Sequence, residues 1–453
     1  MKVILINPAF FDESEFKNRY KDYLDWVKGG NLYIAPFEPP LGLAYLTAYL
    51  KEKGQDVELI DMQGLMMDSN ELIKRIEKAK PDFVGITAMT TTFPVAIRVA
   101  KLVKDISPKS KIMLGGVHPT LDPEGVLAHD EVDFVIRGEG EIALYGLVNA
   151  LNGNGDFKEI NGLCYRDDGK VIIKEKTIIE DSNSIPMADY GAFPIEQYIK
   201  HNELLRGIRG ISMLISRGCP FSCTFCAVHQ TMGRKWRAKS PELVVNEVIT
   251  LRDKYNLEGI WFKDSIFNMN PTWIKKFCDL MIEKDLGISW QANTRIDLID
   301  EEQLKLMKKA GLVQLDVGVE SGSNRTLARL NKNITIDQIK EKIELVHKYV
   351  KVFGFFMIGI PGEVEQDVLE TFELAKELKL DTSSWSIYSP LPGSTLYEDL
   401  IKEEKIKPYD IDYEQIHFTK AYEGICDIPP NRLKELYTEI NEYFSKKSEV
   451  AVD

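Results

Sequence analysis

Three cysteines stand close together in the sequence, at Cys219, Cys223 and Cys226, with the spacing Cys-x3-Cys-x2-Cys. Such a run supplies three thiolates within one short loop. An iron–sulfur cluster held by four cysteines is coordinatively closed and suits electron transfer. A 4Fe–4S cluster held by three keeps one iron free to bind a small molecule. On spacing alone, a zinc site with His229 as the fourth ligand is the alternative.

The run RGCPFSCTFC at 217–226 resembles the signature of the radical S-adenosylmethionine (SAM) enzymes, which usually have an aromatic residue where this chain has Phe225. The resemblance implies that the three cysteines hold a 4Fe–4S cluster. The open iron would bind the amino and carboxylate groups of SAM, and reductive cleavage would give a 5′-deoxyadenosyl radical. The resemblance also implies an external electron donor, such as flavodoxin or ferredoxin, and sensitivity to oxygen.

The sequence around this loop alternates between short apolar runs and stretches of helical periodicity, which predicts a series of β/α units. Strands are predicted at 212–216, 259–262, 289–293, 314–318, 354–358 and 384–389. Helices are predicted at 241–255, 273–284, 301–310, 336–349 and 367–378. These units resemble the partial (β/α)6, TIM-type barrel of radical SAM enzymes, with chemistry at the C-terminal ends of the strands.

Segments at those strand ends resemble the parts of the family that contact SAM. The segment GVESGS at 318–323 resembles the one at the ribose and carboxylate, and a carboxylate such as Glu320 can accept hydrogen bonds from ribose hydroxyls. The segment MIGIPGE at 357–363 resembles the one beside adenine. The resemblance assigns SAM contacts to Phe225, Asp264, Asn293, Arg295, Glu320, Ser321, Gly359, Ile360 and Pro361.

Two of these assignments depart from the family pattern or have an alternative. The second strand ends in FKDS at 262–265, where many relatives have Asp-Asp or a Gly-Gly-Glu type of segment, so Asp264 becomes the candidate for the SAM amino group. Arg295 either pairs with the SAM carboxylate or is a structural ion-pair partner of Asp297. The loop at 390–395 is expected to shape the mouth of the cavity.

The first 151 residues also alternate between strands and helices, which predicts a doubly wound, Rossmann-like parallel sheet. Strands are predicted at 2–7, 57–61, 83–87, 111–114 and 134–136, and helices at 41–53, 69–78, 93–105, 123–129 and 141–151. Ligands of such sheets bind at the carboxyl ends of the strands. Small residues and glycines there, at 87–93, 115–120 and 137–141, let a backbone approach a large flat ligand closely.

In this order, these runs resemble the cobalamin (B12)-binding domain found ahead of many radical SAM domains. The resemblance assigns cobalamin contacts to Thr87, Ala88, Met89, Thr90, Thr91, Gly115, Gly116, Val117, His118, Gly138 and Glu139. Cobalamin domains of the mutase type carry Asp-x-His-x-x-Gly after the first strand, but the loop NPAFFD at 7–12 has no histidine. We therefore expect no protein imidazole on cobalt. A domain that binds nothing is the alternative.

The expected domain organisation has four parts. Residues 1–151 form the cobalamin-binding domain, and 152–204 form a hairpin at 160–176 followed by a linker. Residues 205–400 form the radical SAM domain. A helical region at 401–453, with an amphipathic helix at 430–447, covers the substrate cavity, as it does in relatives.

Composition excludes several function classes. The net charge of −13 argues against a nucleic-acid-binding surface, which needs clustered Lys and Arg. No apolar stretch is long enough to span a bilayer, and no signal-peptide pattern is present, so we expect a cytoplasmic protein. The remaining cysteines are far apart in the sequence, and we expect each to be a buried small hydrophobic residue rather than a ligand; they are Cys164, Cys278 and Cys426.

These observations together predict a cobalamin-dependent radical SAM enzyme. The expected reaction is methyl transfer from methylcobalamin, regenerated from cob(I)alamin by a second SAM, to an unactivated carbon or phosphorus of a small-molecule or peptide substrate. The same parts could instead catalyse cyclisation, ring contraction or oxidation without methyl transfer, as in the anaerobic porphyrin ring cyclases. A non-catalytic cobalamin or SAM sensor is the alternative from another class.

Overall fold

The computed structural model describes residues 1–9, 38–408 and 419–450. Contacts divide the chain into two compact units. Of the described residues, the first unit holds 1–9, 38–201 and 230–233, and the second holds 202–229, 234–408 and 419–450. Most of the stretch 152–204 therefore packs with the first unit, while the finer domain limits given above stay predictions.

The first unit contains one seven-stranded sheet with the order β2-β1-β3-β4-β5-β6-β7. The strands are β1 Lys2–Asn7, β2 Asp56–Asp61, β3 Phe83–Thr87, β4 Lys111–Gly115, β5 Phe134–Ile136, β6 Leu163–Asp167 and β7 Lys170–Ile172. The first five are parallel, and their apolar residues are buried, as expected for strands covered by helices. The strand order reverses between β1 and β3, and open α/β sheets bind ligands beyond the strand ends at such a point.

The helices up to residue 206 lie between these strands or follow them in the chain. They are α1 Leu41–Glu52, α2 Met62–Leu65, α3 Ser69–Ala79, α4 Phe93–Ile106, α5 Val117–Leu121, α6 Pro123–Leu127, α7 Gly140–Leu151 and α8 Ile195–Arg206. Local chemistry sets their starts: the Asp68 carboxylate caps α3 by accepting from the Glu71 N–H at 2.9 Å. The sequence did not predict α2, α5 or α8. Helices of four and five residues are too short to display a 3.6-residue period, and α8 begins inside the stretch 152–204 that was predicted to end in a linker.

The hairpin predicted at 160–176 is confirmed by β6 and β7, which extend the first sheet in antiparallel orientation. Its turn residues Asp168 and Gly169 have φ values of 47° and 77°. Two consecutive positive φ angles are what a two-residue hairpin turn of type I′ requires.

The second unit contains a six-stranded, wholly parallel sheet with the order β15-β14-β13-β12-β11-β8. Its strands are β8 Gly210–Met213, β11 Gly259–Phe262, β12 Ser289–Thr294, β13 Leu312–Glu320, β14 Lys351–Ile358 and β15 Thr382–Ile387. Helices from residue 228 onward are α9 Val228–Met232, α10 Pro241–Tyr255, α11 Pro271–Lys284, α12 Glu301–Lys309, α13 Asn324–Arg329, α14 Ile336–His347, α15 Glu365–Glu377, α16 Thr395–Lys402 and α17 Pro430–Val450. Six sequential parallel strands confirm the predicted partial barrel.

The prediction for the first barrel strand, 212–216, was wrong. The strand ends at Met213, and the chain then forms a separate two-residue strand, β9 Ser216–Arg217, paired antiparallel with β10 Arg237–Ala238. The buried Asp264 carboxylate accepts from the backbone N–H groups of Ile215 and Ser216 and so takes donors that would otherwise extend the ladder.

The C-terminal helix α17 packs against the second unit's sheet, as predicted for its amphipathic pattern. Leu433, Leu436 and Ile440 are buried, and the Phe444 ring stacks on Trp385 of β15 at 5.8 Å. In the described parts of the chain, no helix has the length and apolar composition to cross a bilayer.

Candidate active site

Cys219, Cys223 and Cys226 of the second unit lie on one loop, directly after β9, and are free thiols. The Cys226 N–H donates to the Cys223 carbonyl at 3.2 Å, which closes a tight turn within the motif. The loop is also tied to the segment after β13, because the Thr224 N–H donates to the Leu330 carbonyl at 3.1 Å. The backbone that carries the thiols is therefore fixed from outside the motif as well as inside it.

Burial and mutual repulsion disfavour the thiolate forms while no iron is bound. Burial raises the pKa of the Cys226 thiol to about 11, and negative charge on Cys223 and Cys219 acts in the same direction. Burial also raises the pKa of Cys219. Since the thiolate is the metal-binding form, binding of iron by these cysteines would have to drive their deprotonation.

The donor set fits a cluster better than it fits one ion. Among the described residues, no group of three or more His, Cys, Asp or Glu side chains is placed to hold a single metal ion. In a 4Fe–4S cluster, each cysteine binds a different iron, so the three sulfurs need not converge on one point. Three thiols on one fixed loop meet that requirement.

Arg295 follows β12 and lies against the cysteine loop. Its Nε and Nη2 donate to the two Asp297 carboxylate oxygens at 3.0 and 3.1 Å, so the ion pair considered from the sequence is present. Its Nη1 donates to the Cys223 Sγ at 3.3 Å. The guanidinium carbon also lies 3.9 Å from the centre of the Phe221 ring. A contact with the SAM carboxylate stays a prediction.

Several buried polar atoms at or just beyond the C-terminal ends of the second unit's strands have no hydrogen-bond partner. They include Asp264 Oδ2 after β11, Asn293 Oδ1 on β12, Glu363 Oε1 after β14 and Ser389 Oγ after β15. Leaving such an atom unsatisfied costs about 1–3 kcal/mol. A polar ligand at this edge relieves that cost, so these residues fit a group such as SAM.

Asp264 is fully buried behind this edge. Its Oδ1 accepts from the Ile215 and Ser216 N–H groups at 3.1 and 2.5 Å and from the Ser216 hydroxyl at 2.6 Å. Burial raises the pKa of the carboxyl to about 7. One oxygen thus orients the chain that leads to the cysteines, and the other is unsatisfied. Its assignment to the SAM amino group stays a prediction.

Glu320 ends β13 with φ at 68°, beyond an irregularity in the strand pairing at Gly318. Its Oε1 accepts from Lys332 Nζ at 2.7 Å, and both residues are buried. A Cβ at Gly318 would lie 2.2 Å from Glu320 Oε1, so glycine leaves room for the carboxylate. The Glu320 charge contributes to the raised pKa of Cys226, which places it near the cysteine loop.

Hydrogen bonds within the segment predicted to lie beside adenine stabilise its conformation. The N–H groups of Gly359 and Ile360 donate to Glu363 Oε2 at 2.6 and 3.1 Å. Burial raises the pKa of Glu363 to about 8. Gly359 has φ at 74°, and a Cβ there would lie 2.6 Å from Leu433 Cδ2 of α17. The Pro361 carbonyl accepts from the Arg329 guanidinium.

Two other residues that were assigned to SAM make packing contacts inside the second unit. Ser321 is fully buried with its Oγ 3.1 Å from Thr371 Oγ1. Phe225 packs against an apolar cluster that includes Ile360 and Tyr388. Contacts of either residue with SAM stay predictions.

The residues assigned to cobalamin gather at the C-terminal ends of β3, β4 and β5 in the first unit. Met89 and Val117 are 50% and 37% exposed, an open apolar surface beside the switch point between β1 and β3. Gly116 has φ at 104°, and a Cβ there would lie 2.8 Å from the Ala88 carbonyl oxygen and 2.9 Å from Thr87 Oγ1. Glycine at this position therefore lets the loop after β4 pack closely against the end of β3 and the residue that follows it.

Other residues in the cobalamin set lie inside the unit. His118 is fully buried, burial lowers its pKa to about 4, and its ring lies 4.2 Å from the Phe93 ring. The Glu139 carboxylate accepts from the Ile179 N–H at 2.8 Å, and the Gly138 N–H donates to Thr120 Oγ1 at 2.9 Å. The loop at 7–12 is described only to residue 9.

Sequence reasoning did not single out Lys332 or Leu433. Lys332 lies in the polar run Asn331-Lys332-Asn333, and Leu433 is one apolar position among several on α17. Neither has a sequence signal that separates it from an ordinary surface or core residue, because each acquires its role by contact with a distant segment.

Family models match both halves of the chain. The B12 binding domain matches residues 28–148, and the Radical SAM superfamily matches residues 213–375. An uncharacterised methyltransferase of Pyrococcus horikoshii is 35% identical over 366 residues, covering 80% of this chain and 78% of that protein. An anaerobic magnesium-protoporphyrin IX monomethyl ester cyclase of Rubrivivax gelatinosus is 31% identical over 393 residues, covering 84% of this chain and 70% of that protein.

A solved structure has the same fold. The radical SAM methyltransferase TsrM of Kitasatospora setae, with cobalamin and a [4Fe-4S] cluster bound, superposes with a TM-score of 0.71 at 17% identity, covering 88% of this chain and 79% of that chain. Together with the two relatives, this places the chain among the cobalamin-dependent radical SAM enzymes. Its cofactors are a 4Fe–4S cluster, SAM and cobalamin, and the zinc alternative is set aside.

Proposed function

We propose that this enzyme is a methyltransferase that moves a methyl group from methylcobalamin to an unactivated carbon or phosphorus. The observation that carries the proposal is the 35% identity, over most of both chains, with a protein named as a methyltransferase. The substrate is proposed to be a small molecule or peptide, and the electron donor to be of the flavodoxin or ferredoxin type.

When bound, the cofactors supply radical formation and the transferable methyl group, and the protein supplies placement. Cys219, Cys223 and Cys226 would hold the cluster and leave one iron for SAM. The Glu320 carboxylate would accept hydrogen bonds from the ribose, and Asp264 Oδ2, which has no hydrogen-bond partner, would accept from the SAM ammonium group. The apolar cluster around Phe225 would keep water from the reacting centre.

A reaction without methyl transfer is a second candidate. The 31% identity with a magnesium-protoporphyrin monomethyl ester cyclase favours it, since that relative is named for ring formation. The chain would then use the same cofactor contacts for cyclisation, ring contraction or oxidation of its substrate.

Products formed from SAM under anaerobic, reducing conditions separate the two candidates. For a methyltransferase we expect both S-adenosylhomocysteine and 5′-deoxyadenosine, with S-adenosylhomocysteine requiring cobalamin in the preparation. For the second candidate we expect 5′-deoxyadenosine alone. A Cys223→Ala variant is the matched control and should form no 5′-deoxyadenosine. Absence of S-adenosylhomocysteine from cobalamin-loaded wild-type enzyme would contradict methyl transfer.

A further inference from the structure

Arg295 is held in a single orientation beside the cysteine loop. Its side chain is 8% exposed, and each of its three guanidinium nitrogens has a partner. The Asp297 carboxylate takes Nε and Nη2, the Lys332 carbonyl accepts from Nη2 at 2.7 Å, and Cys223 Sγ accepts from Nη1 at 3.3 Å. The Phe221 ring covers one face of the guanidinium group. These contacts direct one guanidinium N–H toward Cys223, a proposed cluster ligand.

A hydrogen bond to a ligand sulfur changes how readily an iron–sulfur cluster accepts an electron. Reduction adds one negative charge to the cluster, and a buried cation with an N–H on the sulfur stabilises that charge. The protein as a whole has a net charge of −13, which opposes the addition of an electron. A local cation such as Arg295 acts against that effect at the proposed cluster ligand.

Nearby charged groups offset the positive charge of the Arg295 guanidinium only in part. Asp297 is its direct partner, but the Asp297 side chain is 31% exposed, so water screens that carboxylate. The other nearby pair, Lys332 with Glu320, is buried at 5% and 11% side-chain exposure and is neutral as a pair. Of these charged groups, the buried Arg295 guanidinium is the one in direct contact with the sulfur of Cys223.

We propose that Arg295 is a positioning residue that raises the reduction potential of the cluster through its hydrogen bond to Cys223, and that this, rather than binding of the SAM carboxylate, is its role. The assignment applies whether the product is methylated or cyclised, so its test is independent of the test for methyl transfer.

The test is the midpoint potential of the reconstituted cluster in the full chain, followed spectroscopically during titration with a chemical reductant, without SAM. In Arg295→Met we expect reduction to become roughly ten-fold less favourable, a potential about 59 mV lower for a one-electron couple. Arg295→Lys keeps the charge but loses the planar fork and should show a smaller decrease. Asp297→Asn removes the partly screened anion and should raise the potential.

Arg432→Met is the matched control, because Arg432 of α17 forms a partly exposed ion pair with Glu365 of α15. The cluster potential of this variant should equal that of the wild type. SAM affinity, measured on the same preparations, should be unchanged in Arg295→Lys. A wild-type potential in Arg295→Met together with a fall in SAM affinity would overturn the inference in favour of the SAM carboxylate. If Arg295→Met fails to assemble a cluster, unchanged potentials in both Arg295→Lys and Asp297→Asn would overturn it equally.

Discussion

The Glu320 carboxylate has one observed hydrogen-bond donor and one proposed donor. Lys332 Nζ already donates to one oxygen at 2.7 Å, and the same carboxylate is proposed to accept from the SAM ribose. A carboxylate has lone pairs for both. Truncating the side chain would leave the buried Lys332 ammonium without a hydrogen-bond acceptor as well as without its counter-charge, so Gln, which keeps an amide oxygen as acceptor, is the better probe.

We expect Glu320→Gln to weaken SAM binding roughly ten-fold, because an uncharged acceptor loses about 1–1.5 kcal/mol relative to a charge-assisted hydrogen bond. Equilibrium binding of SAM to the anaerobically reconstituted enzyme measures this, and iron and cobalamin contents should not change. Lys332→Gln is the control: it loses the same ion pair but keeps the carboxylate, so its SAM affinity should hold while its thermal stability falls. Equal loss of affinity in both variants would assign Glu320 a structural role.

At the scale of elements, the loop after β4 depends on a glycine that no other residue can replace without strain. Gly116 combines a φ of 104° with close approach to the Ala88 carbonyl and the Thr87 hydroxyl. The same loop exposes Val117 at the edge assigned to cobalamin. Its shape and the proposed binding surface are therefore set together.

We expect Gly116→Ala to reduce the cobalamin bound per chain, because the added Cβ must displace backbone at the proposed binding edge. Gly153→Ala provides a control of the same kind, since Gly153 has φ at 82° but nothing within 4 Å of an added Cβ. A positive φ costs an alanine about 1–2 kcal/mol at either position, so both variants should lose some thermal stability. Cobalamin content, read from the absorption spectrum, should fall only in Gly116→Ala, and an equal content in both would refute the assignment of this edge.

At the scale of the whole molecule, the chain carries two compact units, each with its own sheet and core. The three thiols belong to the second unit, and the proposed cobalamin edge belongs to the first. The two cofactor sites should therefore be separable by substitution.

A variant with all three cluster cysteines changed to alanine should bind no iron, whereas the wild type should bind about four iron atoms per chain as one 4Fe–4S cluster. The variant should retain cobalamin, because no cysteine of the loop lies in the first unit. Metal analysis and absorption spectra of the two preparations test this. One zinc and no iron in anaerobically reconstituted wild type would contradict the cluster assignment.

The sequence by itself determined most of the longer elements and the cofactor motif. Strands β1, β3 and β5 and helix α10 begin and end where they were predicted, because buried parallel strands are continuous apolar runs and proline or a cap marks a helix start. The resemblance of the cysteine loop to the radical SAM signature predicted the cluster for a similar reason, because all three proposed ligands lie in one loop. Such features depend on residues that are close together in the sequence, so the sequence alone can reveal them.

Only the tertiary structure decided which distant groups meet. Asp264 accepts from Ser216, 48 positions away, and this contact ended the first barrel strand earlier than its apolar run predicted. Arg295 donates to Cys223, 72 positions away, as well as to Asp297. The sequence offered Asp297 or the SAM carboxylate as its partner and gave no sign of the contact with Cys223. Such pairs follow from the register of neighbouring strands and the paths of their loops, which no single segment of the sequence encodes.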